Sequence, residues 1–232
     1  MTFRLLLGVL AAAAAPAADP PLSWTDPDTG HRVVRLTQEP GSASLYFNQN
    51  GYTAGGKYLV YTTPDGISVL DLATREARQV VKGRARLIDA GRKTQRVYYL
   101  RDGAVFFTDA ATGETRKIAG LPARGTIATV NADETLLAGT YIEGQGQDYR
   151  GDRGGQTHSL EQPRSKGQMM EERWAARLPM ALFTVNIATG ETRVIHKAND
   201  WLNHLLFSPT DPGLLMFCHE GPWHKVDRIW TI

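Results

Sequence analysis

A single cysteine, Cys218, stands in a chain of 232 residues. One thiol excludes an internal disulfide framework and any cysteine-based zinc finger. Charge of one sign is also missing: 26 Lys and Arg face 24 Asp and Glu, a net +2 with no basic stretch that gathers the surplus. The electrostatic footprint of a nucleic-acid binder is therefore absent. No zinc-protease motif, Ser-His-Asp signature or glycine loop for nucleotides occurs along the chain. After the first residues, no apolar run approaches the roughly 20 residues that cross a bilayer. What is present is a globular composition, 42% hydrophobic and 22% charged, with 23 Gly and 12 Pro to turn between short elements. That balance leans toward an all-β architecture.

The opening segment reads as an address. Arg4 precedes the apolar run from Leu5 to Ala15, and Ala15-Pro16-Ala17-Ala18-Asp19 offers small residues for cleavage. Residues 1–18 are expected to be a secretory signal peptide cut after Ala18. The run is too short and too rich in Ala for an anchor, so the mature chain is expected in a periplasm or outside the cell, free of the membrane. Cys218 is expected to be reduced, buried and structural there.

A short pattern then recurs. Asp71-Leu-Ala-Thr-Arg-Glu-Ala-Arg78, Asp109-Ala-Ala-Thr-Gly-Glu-Thr-Arg116 and Asn186-Ile-Ala-Thr-Gly-Glu-Thr-Arg193 are near copies, and Asp26-Pro-Asp-Thr-Gly-His-Arg32 is a looser one. Each adjoins β-rich alternation. Asp or Asn opens a turn through its own side chain, and Thr-Gly puts glycine at a positive φ, the chemistry of a hairpin. Arg75 replaces that glycine in one copy, which predicts a turn of another kind there. The first two full copies stand roughly 40 residues apart and the next about twice that, the spacing of β-propeller blades with one blade enlarged. The excess falls in a polar, Gly-rich insertion at about 143–178, in which Gln168 to Leu178 reads as a helix. Residues 19–232 are thus expected to form one partial propeller domain of about three and a half blades. Its fourth unit ends on the strand-like run Arg228 to Ile232, so the chain is expected to be a portion of a larger protein.

Titratable residues crowd the fourth unit: His204, His219, His224 and Arg228, with Glu220 and Asp227 between them. His219-Glu-Gly-Pro-Trp-His224 follows an apolar strand, and residues just past a strand end line the mouth of a propeller rather than its core. His219 and His224 stand five apart without an evident third metal ligand.

Trp201-Leu-Asn-His204, Phe207-Ser-Pro-Thr-Asp211, Phe217-Cys-His-Glu-Gly-Pro222 and Val226-Asp-Arg-Ile-Trp230 strongly resemble the oligogalacturonate lyases. So do Asp28 to Thr37, Tyr46-Phe47 and Gly55 to Val60, and the resemblance runs from about Asp26 to Ile232. It implies a seven-bladed propeller that splits short galacturonate oligomers from pectin by β-elimination, with Mn²⁺ engaging the acidic substrate. It also implies that Arg228 is the catalytic arginine. The family's catalytic histidine, in a His-Glu-Phe-Trp-type motif after that arginine, and its metal-binding His and Gln have no counterparts in these 232 residues. His204, His219 and His224 are therefore expected to bind substrate at the rim, not to replace them, and no residue here is expected to hold the metal. The expected partner is an acidic oligosaccharide. A noncatalytic periplasmic propeller that binds sugars or proteins, and a propeller attached to an exported peptidase, stay open on the blade patterns alone.

Overall fold

The repeated turn is built the same way in the three full copies. In the computed structural model, which describes residues 21–144 and 165–232, Asp71 Oδ1 accepts the N–H groups of Ala73 and Thr74 at 2.9 and 3.1 Å. Asp109 does the same for Ala111 and Thr112 at 2.8 and 3.0 Å, and Asn186 for Ala188 and Thr189 at 2.9 and 3.0 Å. Gly30, Gly113 and Gly190 close their turns at φ 70, 79 and 77°. Arg75 corrects the expectation of a different turn: it takes φ 62° and donates its N–H to Asp71 O at 2.7 Å, as Gly113 does to Asp109 O at 2.8 Å. The Asp71 side chain and the flanking strands hold the arginine in a left-handed conformation that costs a non-glycine residue about 1–2 kcal/mol.

The chain parts into two compact units after Gln38. In the first, strands β1 (Ser23–Thr25) and β2 (Arg32–Val34) form an antiparallel hairpin around the Asp26 turn. The second contains four antiparallel meanders, the blades of a β-propeller. Blade one runs β3 (Ala43–Ser44), β4 (Tyr58–Thr63), β5 (Gly66–Asp71) and β6 (Ala77–Lys82). Blade two runs β7 (Arg86–Ala90), β8 (Arg96–Arg101), β9 (Ala104–Asp109) and β10 (Thr115–Gly120). Blade three runs β11 (Thr126–Val130), β12 (Leu136–Ile142), β13 (Met180–Asn186) and β14 (Thr192–Ala198), and blade four β15 (Trp201–Phe207), β16 (Leu215–Glu220) and β17 (Ile229–Thr231). The first strands β7, β11 and β15 lie against one another and make the innermost layer.

The sheets of blades two and three are covered on both faces, which is why their middle strands read as nearly unbroken apolar runs. In β8, Val97 and Tyr99 enter the core shared with blade one, whereas Tyr98 enters the core shared with blade three. Leu182, Leu202, Leu205, Leu215 and Phe217 fill the space between blades three and four. Full burial of each such side chain stabilises the fold by roughly 1.5–3 kcal/mol.

A polar chain ties the innermost layer together. The buried Asp89 of β7 accepts the N–H of Asn50 at 2.7 Å and of Val130, in β11, at 3.3 Å. Thr129 Oγ1 stands 3.4 Å from the same carboxylate and accepts the N–H of Phe207, in β15, at 3.4 Å. Burial pushes the Asp89 carboxyl up to about 7, against the hydrogen bonds from Asn50 and Val130 that favour its charged form.

The insertion supplies one helix, α1 (Lys166–Ala176), two residues earlier than expected at each end. Ser165 caps it, accepting Gln168 N–H while the Gln168 side chain accepts the Ser165 N–H, and Arg177 ends it at φ 43°. The signal-peptide reading of residues 1–18 and the stretch 145–164 of the insertion lie outside the described residues.

Candidate functional site

Three connections meet at one end of blade four: the insertion carrying α1, between β12 and β13; the Ala198–Trp201 passage from β14 to β15; and the Gly221–Arg228 loop from β16 to β17. Contacts along α1 fasten them. Arg177 Nη1 pairs with Asp200 at 2.8 Å, and Lys225 Nζ pairs with Glu171 at 2.7 Å while lying 4.6 Å from the Trp174 ring centre. Gly221 allows this approach: a Cβ there would stand 3.1 Å from Val226 Cγ1 and 3.4 Å from Trp174.

Glu220, the last residue of β16, is the centre of the arrangement. It is 5% exposed, and its Oε2 accepts Arg173 Nη1 of α1 at 2.8 Å and Asn203 Nδ2 of β15 at 2.9 Å. Buried carboxylates persist when paired and hydrogen-bonded in this way. Its other oxygen, Oε1, lies 3.5 Å from His204 Nε2. The ladder between β15 and β16 is irregular between Asn203 and Leu206, and His204 sits in that irregularity at φ 50°. A left-handed histidine on an innermost strand is an uncommon, costly conformation of the kind that gathers at functional sites. Its imidazole is half-exposed.

Arg228 is half-buried just before β17, with its guanidinium carbon 5.6 Å from the Trp223 ring centre. It lies beside the thiol of Cys218; burial pushes that thiol up, and the neighbouring guanidinium only partly offsets this, so Cys218 stays protonated and unreactive. Among the described residues no carboxylate pairs with Arg228, whereas Arg173 and Arg177 are paired. Its carbonyl accepts the N–H of His219 at 3.1 Å.

The histidines grouped by sequence are separated by the strand. Alternate side chains leave opposite faces of β16. His219 therefore shares a face with Phe217, away from Cys218 and Glu220. There it pairs through Nδ1 with Asp200 Oδ2 at 3.0 Å and packs 5.1 Å from the Trp230 ring centre. His196 lies 6.0 Å from it, and burial, then His219, hold the His196 imidazole below its usual value. His224 is exposed on the turn after Pro222. Of His204, His219, His224 and Arg228, His204 and Arg228 thus border the Cys218–Glu220 face. Arg173, Asn203 and Asp200 were not singled out from sequence; Glu220 was visible only as a neighbour of the histidines.

Among the described residues no three of His, Cys, Asp and Glu converge on one point, so these donors do not fit a manganese ion.

A family model described as oligogalacturonate lyase matches residues 21–232. The oligogalacturonate lyase of Dickeya dadantii (strain 3937) is 28% identical over 224 residues, covering 90% of this chain and 54% of that protein. A solved oligogalacturonate lyase in complex with manganese superposes with a TM-score of 0.71 at 29% identity, covering 90% of this chain and 56% of the other. The Vibrio parahaemolyticus oligogalacturonate lyase gives 0.71 at 27% identity, with the same coverage. The chain spans about half the length of the relatives it matches.

Proposed function

The chain belongs to the oligogalacturonate lyase family, and on that premise we propose that the complete gene product splits short galacturonate oligomers from pectin by β-elimination. The C5 proton of a galacturonate unit lies α to its carboxylate, so its removal spreads negative charge onto the carboxylate before the C4 oxygen departs. A cation fixed beside that carboxylate lowers the barrier more than one drawn from solvent. Arg228 has the needed attributes: a permanent charge, a planar fork matched to a carboxylate, and a half-buried seat against Trp223. The observation that carries the reading is the family match over residues 21–232, which takes in the Val-Asp-Arg-Ile-Trp run that holds Arg228.

His204 and His224 meet the sugar at the rim. His219 serves the same rim from behind, holding the Arg228 segment through its backbone N–H and its stack on Trp230. The abstracting base belongs to the family's His-Glu-Phe-Trp motif, which is not in these 232 residues, and the manganese of the family finds no ligand set in the residues described. Export through residues 1–18 places the enzyme in the periplasm or outside the cell, where pectin fragments arrive.

The test is Arg228→Ala in the complete gene product, with digalacturonate as substrate and the ultraviolet absorbance of the unsaturated product as readout. Turnover should fall by about a hundred- to a thousandfold, the scale of losing a stabiliser of developing charge. Turnover at the unaltered rate would remove the assignment.

A further inference from the structure

We infer that Glu220 is a positioning residue that orients His204 to take a ring hydroxyl of the sugar, so that Arg228 addresses the carboxylate and His204 a neutral group. The inference deepens the lyase reading and rests on it.

The argument begins with what Glu220 has left to give. Its Oε2 is occupied by Arg173 and Asn203, so the remaining Oε1 faces His204 Nε2 at 3.5 Å. A carboxylate only accepts, so Nε2, the ring nitrogen that faces it, is the one to which we assign the proton. In the neutral ring Nδ1 is then the lone-pair atom. That atom accepts a hydrogen bond and cannot donate one, which suits a hydroxyl and not a carboxylate. Two features show that the ring's place is imposed. The backbone of His204 holds φ 50° within an interrupted ladder, and Glu220 is locked by an arginine from a helix in another blade. The half-exposed ring keeps surface for a ligand. Arg228 stands across the β16–β17 ladder from His219, the residue before Glu220, so the two charges flank one stretch of β16.

Four measurements on the complete gene product test this. His204→Gly removes the ring at a position whose φ glycine adopts freely, so folding is kept. It should raise KM for digalacturonate about tenfold with kcat changed less than about twofold, and with no fall in thermal midpoint. Glu220→Gln should raise KM similarly, and add little when His204 is already glycine. Digalacturonates lacking single ring hydroxyls should include one that binds the parent protein weakly yet suffers no further loss against His204→Gly. Nitrogen NMR of the histidine rings, with His204 assigned by its absence in His204→Gly, should show the Nε2-protonated tautomer; this readout stands even where Glu220→Gln does not fold.

The opposite tautomer, an unchanged KM in His204→Gly, or a full additional effect of Glu220→Gln in that background overturns the inference. An Arg228→Ala protein of normal rate, or a gene product that makes no unsaturated sugar, overturns instead the lyase reading beneath it.

Discussion

Arg173 Nη1 meets Glu220 Oε2 at 2.8 Å, joining a helix inserted in blade three to the second strand of blade four. The pair is nearly buried, its side chains 16% and 6% exposed, and the same guanidinium lies 4.9 Å from the Trp201 ring centre. Removing one partner of such a pair strands the other charge, whereas the intact pair contributes little net stability. Arg173→Ala should therefore destabilise the protein by about 3 kcal/mol, read from urea unfolding midpoints. A loss below about 0.5 kcal/mol would mean that water replaces the guanidinium.

The repeated turn offers an internal comparison. Arg75→Gly should stabilise by roughly 0.5–1 kcal/mol, because relief of the left-handed arginine exceeds the entropy that glycine adds to the unfolded chain. Gly190→Ala should do the reverse: its Cβ would lie 2.6 Å from Ile118 O. Gly113→Ala meets nothing within 4 Å, so it should cost only the φ strain, and Gly190→Ala at least about 1 kcal/mol more. Thermal midpoints of the three variants give the order directly.

Asp89 makes stability depend on pH. Its folded value, about 7, lies above the ordinary 3.8, so the folded state keeps a proton that the unfolded state has released. The resulting stabilisation is complete below about pH 4 and is lost as pH rises through about 7, an effect on the order of 4 kcal/mol. Asp89→Asn should flatten that slope. Unfolding free energies of parent and variant at pH 5 and pH 8 measure it, and parallel profiles would contradict the assignment.

Gly221 is the point where α1 and the Arg228 loop come closest. Gly221→Ala places a methyl 3.1 Å from Val226 Cγ1 and 3.4 Å from Trp174, so loop and helix must separate slightly. A stability loss of about 1 kcal/mol is expected, with a fall in turnover of the complete gene product about tenfold larger than the folded fraction explains. Turnover that tracks the folded fraction would show that the loop's place is set elsewhere.

Legibility followed distance along the chain. The Asp71, Asp109 and Asn186 turns were readable because each is closed by its own side chain within three residues. The middle strands of blades two and three were readable because both faces of those sheets are covered. β3 and β7 carry little sequence signal: β3 is two residues long, and the Arg-Leu-Ile-Asp-Ala run of β7 carries Asp89, whose burial makes sense only beside Asn50 and Val130. Arg75 misled because glycine is the easiest occupant of a left-handed turn but not a required one.

The sequence by itself determined a roughly forty-residue blade period, the hairpin chemistry that ends each third strand, and the helix-bearing insertion, since all three rest on contacts between near neighbours. Only the tertiary structure decided which titratable groups meet. Glu220 gains Arg173 from 47 positions away, and His219 is turned from Glu220 because successive side chains of a strand face opposite ways. Composition and spacing carry no record of such encounters, because packing one blade on the next creates them.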